Sequence, residues 1–453
     1  MYYTNSCNGP NDTTYFKNAH IIDGTGRPAY IGGLLVEGDK IKQVGNIHPE
    51  PRGPRTTVID LAGRTLMPGM ILAHVHLSYN HVMDLPDLDL KQPPEVATIA
   101  GVCNARMMLD CGYTSGLSAG ALHMVDIHIR NAINAGKIPG PRLLAAGRDI
   151  CQTGGMLDWN PSWLKLGMDG LGVFVDDPWS VRKAVRQMVK DGADMIKMYI
   201  TGEGLLLECQ QTELTCTQEE IDAMVEEAHR RNRLCSVHAR SAESCKMAAR
   251  AGVDVIDHAT FIDDEALDMI ARAGSFVAPG LDYMVSTIDF AKQGGFRWLG
   301  SYEDFREKTH YEEELEAAIE NIRKARQRGI KILIGSDFGF HWCPHGTYGR
   351  EFTHLVKLVG YAPLDAIVAG TKLGAEAMRM QDQIGTLEAG KLADLIVVDG
   401  NPLDDITLLE NRDNITHVMK GGQFFRQPSA PLPPRPSREA APARMPAASW
   451  AEW

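Results

Sequence analysis

The chain has 453 residues, 44% of them hydrophobic and 23% charged, the balance of a globular protein with a large core. Its 46 lysines and arginines against 58 aspartates and glutamates leave a formal net charge of -12. No basic stripe or aromatic-interleaved basic motif is present, so no nucleic-acid partner is expected. No apolar stretch is long enough to cross a bilayer, the first residues lack a secretory pattern, and the nine cysteines form no Cys-x-x-Cys pair. Free thiols in the cytoplasm and no membrane association are expected.

Residues 15–60 read as short strands separated by the turn signals Asp23-Gly24 and Gly38-Asp39. They are too few for a core of their own. A matching strand pattern returns at residues 393–400 and 415–419. The expectation is a small β-sandwich-like domain built from both chain ends, residues 1–67 and 381–426, with a larger domain inserted at residues 68–380. Residues 427–453 are rich in Pro and Ala and are expected to form a flexible tail ending in Trp450 and Trp453.

Within the insert, strand-like runs at residues 70–76, 113–117, 142–147, 195–200, 234–238, 253–257, 275–278 and 330–336 alternate with helical patterns. One helix is predicted over residues 302–328 and another over 217–231, the latter opened by a capping box from Thr217 to Glu220. Eight such strands predict an α/β fold, a (β/α)8 TIM-type barrel. An open doubly wound sheet is the alternative, and no glycine-rich dinucleotide or P-loop fingerprint supports it.

The apolar run after Pro68-Gly69 ends in His74-Val75-His76. Strand side chains alternate, so the two imidazoles share a face and are able to grip one metal ion from one side. A barrel places its chemistry at the carboxyl ends of its strands. Lys197 lies late in an apolar strand, where an unpaired lysine is costly; His238 and His258 end two further runs, and Asp337 follows another.

These residues, with Met67-Pro68-Gly69, Ile196-Lys197, Val237-His238-Ala239, Ile256-Asp257-His258, Gly335-Ser336-Asp337 and the return segment 385–395, resemble the metal-dependent amidohydrolase superfamily. The resemblance is to the branch of imidazolonepropionase-like and Xaa-Pro or Xaa-Arg dipeptidase proteins. It implies two divalent metal ions, Zn²⁺ first and Co²⁺, Mn²⁺ or Fe²⁺ as substitutes. By that resemblance His74, His76 and Asp337 hold one ion, His238 and His258 the second, and N-carboxylated Lys197 bridges them. The ions would lower the pKa of a shared water, Asp337 would move the proton to the leaving nitrogen, and His258 would steady the oxyanion. The implied reaction is hydrolysis of a C–N bond in a small molecule by a self-associating enzyme.

Several positions depart from the family pattern: Leu72 for Asp, Met156 for the His of a Gly-Gly-His-Gly loop, the 199–204 segment for a Ser-Gly-Gly loop, and the 113–117 segment without its Arg-Asp pair. They cluster where substrate is read. A less polar amide, carbamate or aryl urea is therefore expected, with Met156, Trp159, Trp163 and Tyr199 lining its pocket and His345 and His341 as further contacts. The competing readings are a Xaa-Pro or Xaa-Arg dipeptidase, a hydrolytic deaminase of a ring amine, and a non-enzymatic binding barrel. A deaminase needs a glutamate close to the strand-end ligands, whereas His238 leads into Ala239-Arg240-Ser241.

Overall fold

Short strands bounded by tight turns open the chain: β1 (Thr13–Ile21), β2 (Tyr30–Glu37), β3 (Lys40–Gly45), β4 (Thr56–Asp60) and β5 (Thr65–Pro68). A computed structural model describes residues 12–164, 170–206 and 209–429; the tail from 430, with Trp450 and Trp453, lies outside the described residues. After β5 the strands alternate with helices: β6 (Met70–Val75), β7 (Tyr113–Ser118), β8 (Arg142–Leu144), β9 (Asp149–Cys151), β10 (Gly172–Phe174), β11 (Met195–Tyr199), β12 (Leu234–Ser241), β13 (Val255–Phe261) and β14 (Phe276–Ala278). The chain then returns through β15 (Leu395–Val398), β16 (Ile415–Lys420) and β17 (Gln423–Arg426).

The two chain ends meet in one mixed sheet of order β17-β16-β15-β5-β1-β2-β3, with β4 added beside β1. The join is antiparallel, Leu395 opposite Pro68 and Val397 opposite Leu66. Phe16, Leu34, Val36 and Leu66 from the first part share a buried cluster with Leu395, Val397 and Met419 from the last. Full burial of an aliphatic side chain stabilises by about 1.5–3 kcal/mol, so this shared cluster ties the two chain ends together.

The inserted strands are parallel, and β6, β7, β11 and β12 are buried along their whole length, as helices outside a barrel require. One arc runs β6-β7-β8 and the other β10-β9-β11-β12-β13-β14. Backbone bonds close the ring: Asp194 donates to the Ala145 carbonyl at 2.8 Å, Leu333 to Val277 at 2.8 Å, and Ala73 to Ile334 at 2.7 Å. This is the TIM-type α/β barrel with a separate mixed sheet made by the chain termini.

Three expected elements differ in detail. Of the expected 142–147 strand only β8 forms, and the separate strand β9 after it joins the other arc. Residues 330–336 close the barrel as an extended segment bonded on both sides rather than as a regular strand. The long helix breaks at His310, whose φ of 54° ends Tyr302–Thr309 and starts Tyr311–Gln327. That break brings Tyr311 and Glu314 to buried positions against Glu203 and Arg240, contacts that helical periodicity does not reveal.

Candidate metal centre

The β6 strand delivers His74 and His76 into the barrel mouth, both 1% exposed. Their Nε2 atoms lie 3.2 Å apart and converge on Asp337 Oδ1, at 2.9 Å from His74 and 3.3 Å from His76. Their other nitrogens fix which ring atom is free. His76 Nδ1 donates to the Gly120 carbonyl at 3.1 Å, and His74 Nδ1 faces Asp257 Oδ1 at 3.3 Å. A carboxylate or carbonyl behind an imidazole holds the tautomer whose Nε2 lone pair points forward.

The β11–β12 register sets Tyr199 opposite His238, and their rings stack at 4.9 Å. His238 Nε2 faces the Gly202 carbonyl at 3.0 Å, with Arg240 Nε 3.4 Å from the same nitrogen. Midway along β13, His258 and Ala259 take left-handed φ values of 74° and 50°, beside a register shift against β12. Such backbone strain re-aims a side chain at a functional site. The His258 ring lies 4.5 Å from that of His238, and its Nε2 lies 3.8 Å from Asp337 Oδ2. That buried Nε2 has no hydrogen-bond partner.

Lys197 is fully buried and its ammonium pairs with Asp257 Oδ2, which also accepts from Ser236 Oγ at 2.5 Å. Asp257 thus joins Lys197 to His74. Asp257 was not among the site residues picked from sequence, although it sits inside the Ile256-Asp257-His258 motif. Tyr79, also missed, stacks on His76 at 4.2 Å.

The charges suit a cation. Burial works against ionisation of Asp337, but His74 and His258 beside it hold its carboxyl well below the usual range. Burial and the Arg240 guanidinium hold His238 and His258 far below the ordinary imidazole value, so both are neutral donors. Burial opposes charge on His74 as well, yet Asp257 and Asp337 overcome it and lift that imidazole to about 9. An ion bound between His74 and Asp337 would take the place of that proton. Converging imidazole nitrogens, a carboxylate and an unpartnered buried Nε2 fit a divalent metal.

A second grouping, His229, Cys235 and Asp254, lies at the opposite ends of β12 and β13. There Asp254 already accepts from His229 Nε2, the Cys235 amide and Arg379, each at 2.8 Å. The guanidinium makes this a clip between strands and helix more than a cation site.

The residues expected to contact substrate are scattered. Tyr199 is at the centre. Met156 lines an apolar pocket with Tyr283, Trp298, Phe340, Trp342 and Glu203, the last next to Gly202, whose carbonyl faces His238. His345 is occupied, its Nδ1 facing Tyr348 Oη at 2.9 Å and its Nε2 the Tyr79 carbonyl at 3.1 Å, so it braces the ring under His76. Trp159 donates to Asp89 at 2.9 Å, Trp163 is 84% exposed, and His341 is exposed against Phe290 and His81. None of these three rings lines the pocket.

The profile of the amidohydrolase family matches residues 65–425. The chain belongs to this family. Among relatives of this amidohydrolase, the ochratoxinase of Aspergillus niger is 28% identical over 434 residues, covering 90% of this chain and 85% of the relative. The imidazolonepropionase of Alkaliphilus metalliredigens is 23% identical, covering 92% and 94%. Among solved structures, a Xaa-Pro dipeptidase with methionine in its active site is 33% identical with a TM-score of 0.80, covering 92% of this chain and all of the other. This amidohydrolase is a metal-dependent enzyme that hydrolyses C–N bonds of small molecules through an activated hydroxide. No helix of the described residues is long and apolar enough to cross a membrane.

Proposed function

We propose that this amidohydrolase carries two zinc ions and cleaves an amide, carbamate or urea with an apolar, N-aryl arm. His74, His76 and Asp337 would hold one ion, and His238 and His258 the other, with Lys197 bridging as its N-carboxylated form. The observation that carries this reading is the convergence of His74, His76 and His258 on the two oxygens of Asp337. The bound ions supply electrophilic polarisation and a water acidified towards neutrality.

The chain's own residues do the rest. Asp337, kept ionised, takes the proton from the attacking water and passes it to the leaving nitrogen, so that water adds across the C–N bond and an acid and an amine leave. His258 stands where charge develops on the carbonyl oxygen. Tyr199, stacked on His238, is a donor for a substrate oxygen. Asp257 neutralises the Lys197 ammonium as it stands; carboxylation would replace that ammonium by an oxygen-donor anion able to serve as a metal ligand.

Support for the apolar arm comes from the pocket's aromatic wall and from Met156 in place of a polar residue. The relatives include both an ochratoxinase and a Xaa-Pro dipeptidase, so a dipeptide is the substrate to be tested against. Turnover of a panel of N-aryl amides, N-aryl ureas and dipeptides by zinc-loaded protein tests it; a marked preference for dipeptides would overturn the N-aryl assignment. We further propose a cytoplasmic location and self-association. The eight cysteines among the described residues are all free, as a reducing compartment allows, and exposed Trp163 and Trp179 offer anchors for a second copy.

A further inference from the structure

Arg240, two residues beyond His238 in the sequence, pairs with Glu203, a residue of the pocket lining. Its guanidinium is fully buried and clamped from two sides, by Glu203 at 2.5 Å and by Glu314. Tyr311 Oη donates to the other oxygen of Glu203, and Thr260 Oγ1 donates to Glu314 at 3.0 Å. Arg240 is therefore spent on internal partners. What reaches the pocket wall is Glu203, from the loop that follows β11.

The pocket's other charged residue is also an acid, Asp84, which caps the helix Leu85–Lys91. Among the described residues no lysine, arginine or histidine lines this space. Tyr283, Phe340, Trp342 and Met156 complete an apolar wall. An anionic group entering here would be desolvated next to Glu203 with no cation free to pair it, which is strongly unfavourable. A neutral aryl arm loses nothing by entering, and one carrying an N–H finds an acceptor.

We infer that Glu203 is a specificity-determining residue: by covering Arg240 it makes the pocket select substrates whose apolar arm bears no carboxylate. This deepens the amide-hydrolase reading and rests on it. The residue acts by repelling the wrong substrate and by denying it the guanidinium, an arrangement in which discrimination comes from the unfavourable contact.

The test uses a matched pair, N-acetylphenethylamine and N-acetylphenylalanine, which share one amide and one ring and differ only in the carboxylate. Their dissociation constants for the full-length zinc-loaded protein are measured by calorimetry, and their turnover separately. The wild type is expected to bind the uncharged member at least about tenfold more tightly. Glu203→Gln is expected to narrow that ratio by about tenfold or more, because one acid is lost and Arg240 is partly released. Glu203→Asp keeps the carboxylate and is expected to keep the preference, which separates charge from packing. Equal binding of the two by the wild type overturns the inference even if no variant folds. An unchanged ratio in Glu203→Gln of wild-type thermal stability overturns it as well. Absence of metal-dependent turnover on any amide, with the binding ratio intact, would count against the amide-hydrolase reading and not against this selection.

Discussion

Oδ1 of Asp257 lies 3.3 Å from Nδ1 of His74, on the side of the ring away from Asp337. The same carboxylate pairs with Lys197, so one acid orients an imidazole and neutralises a buried ammonium. Burial alone would push its pKa up, but Lys197 and His74 pull it below the usual carboxylate range. Asp257→Asn keeps the shape and removes the charge. Loss of such a carboxylate behind a metal-binding histidine weakens metal affinity by about 10–100-fold, and zinc titration of the variant checks it.

Gly335 passes so close to β6 that an added Cβ would overlap the backbone nitrogen and Cβ of His74. Gly335→Ala is expected to shift His74 and reduce zinc retained on dialysis, with a smaller effect on thermal stability. Zinc content per chain and a melting curve measured together decide this. Retention equal to wild type would show that the strand end is more pliant than the packing indicates.

The Arg240 cluster should govern stability. Arg240→Met leaves Glu203 and Glu314 buried without their partner, and removing one member of a buried ion pair destabilises by about 3–5 kcal/mol. Denaturant unfolding gives the value directly. A change below about 1 kcal/mol would mean that water reaches the two acids.

Glu351 sets a pH dependence. Its Oε1 accepts from the Asp282 amide at 2.7 Å, its Oε2 is buried without a partner, and burial with Asp282 nearby pushes its pKa up to about 8. The unfolded chain ionises this group near 4.5 while the folded one stays protonated, so its contribution is fully present below pH 4.5 and is lost as pH rises to about 8. Glu351→Gln is expected to raise the melting temperature relative to wild type at pH 8.5 and to make little difference at pH 4.5. Melting curves of the two proteins across that range show whether the gap opens.

The parts of the site that obey local rules were legible in the sequence. His74 and His76 share a strand face by parity, and Lys197 stood out because nothing in its apolar strand offered a partner. The joining of the two chain ends in one sheet followed from two strand sets too small to fold separately. What escaped lies in contacts between distant segments. Asp257 was hidden inside a recognised motif because its partners are on other strands. Tyr311 and Glu314 reach Glu203 and Arg240 through the break at His310, which periodicity reads as continuous helix. Trp159, Trp163 and His341 fell in loops, where composition suggests aromatic lining but chain direction decides which ring turns inward.

The central claim is that His74, His76, Lys197, His238, His258 and Asp337 act as one hydrolytic metal site. It is tested most directly by stripping the purified protein of metal, measuring residual zinc, and following hydrolysis of an N-aryl amide as zinc is restored. The account predicts loss of turnover with the metal and recovery as zinc is added back, with Asp337→Asn inactive at every zinc level. Full turnover in metal-free protein, or in Asp337→Asn, would contradict it.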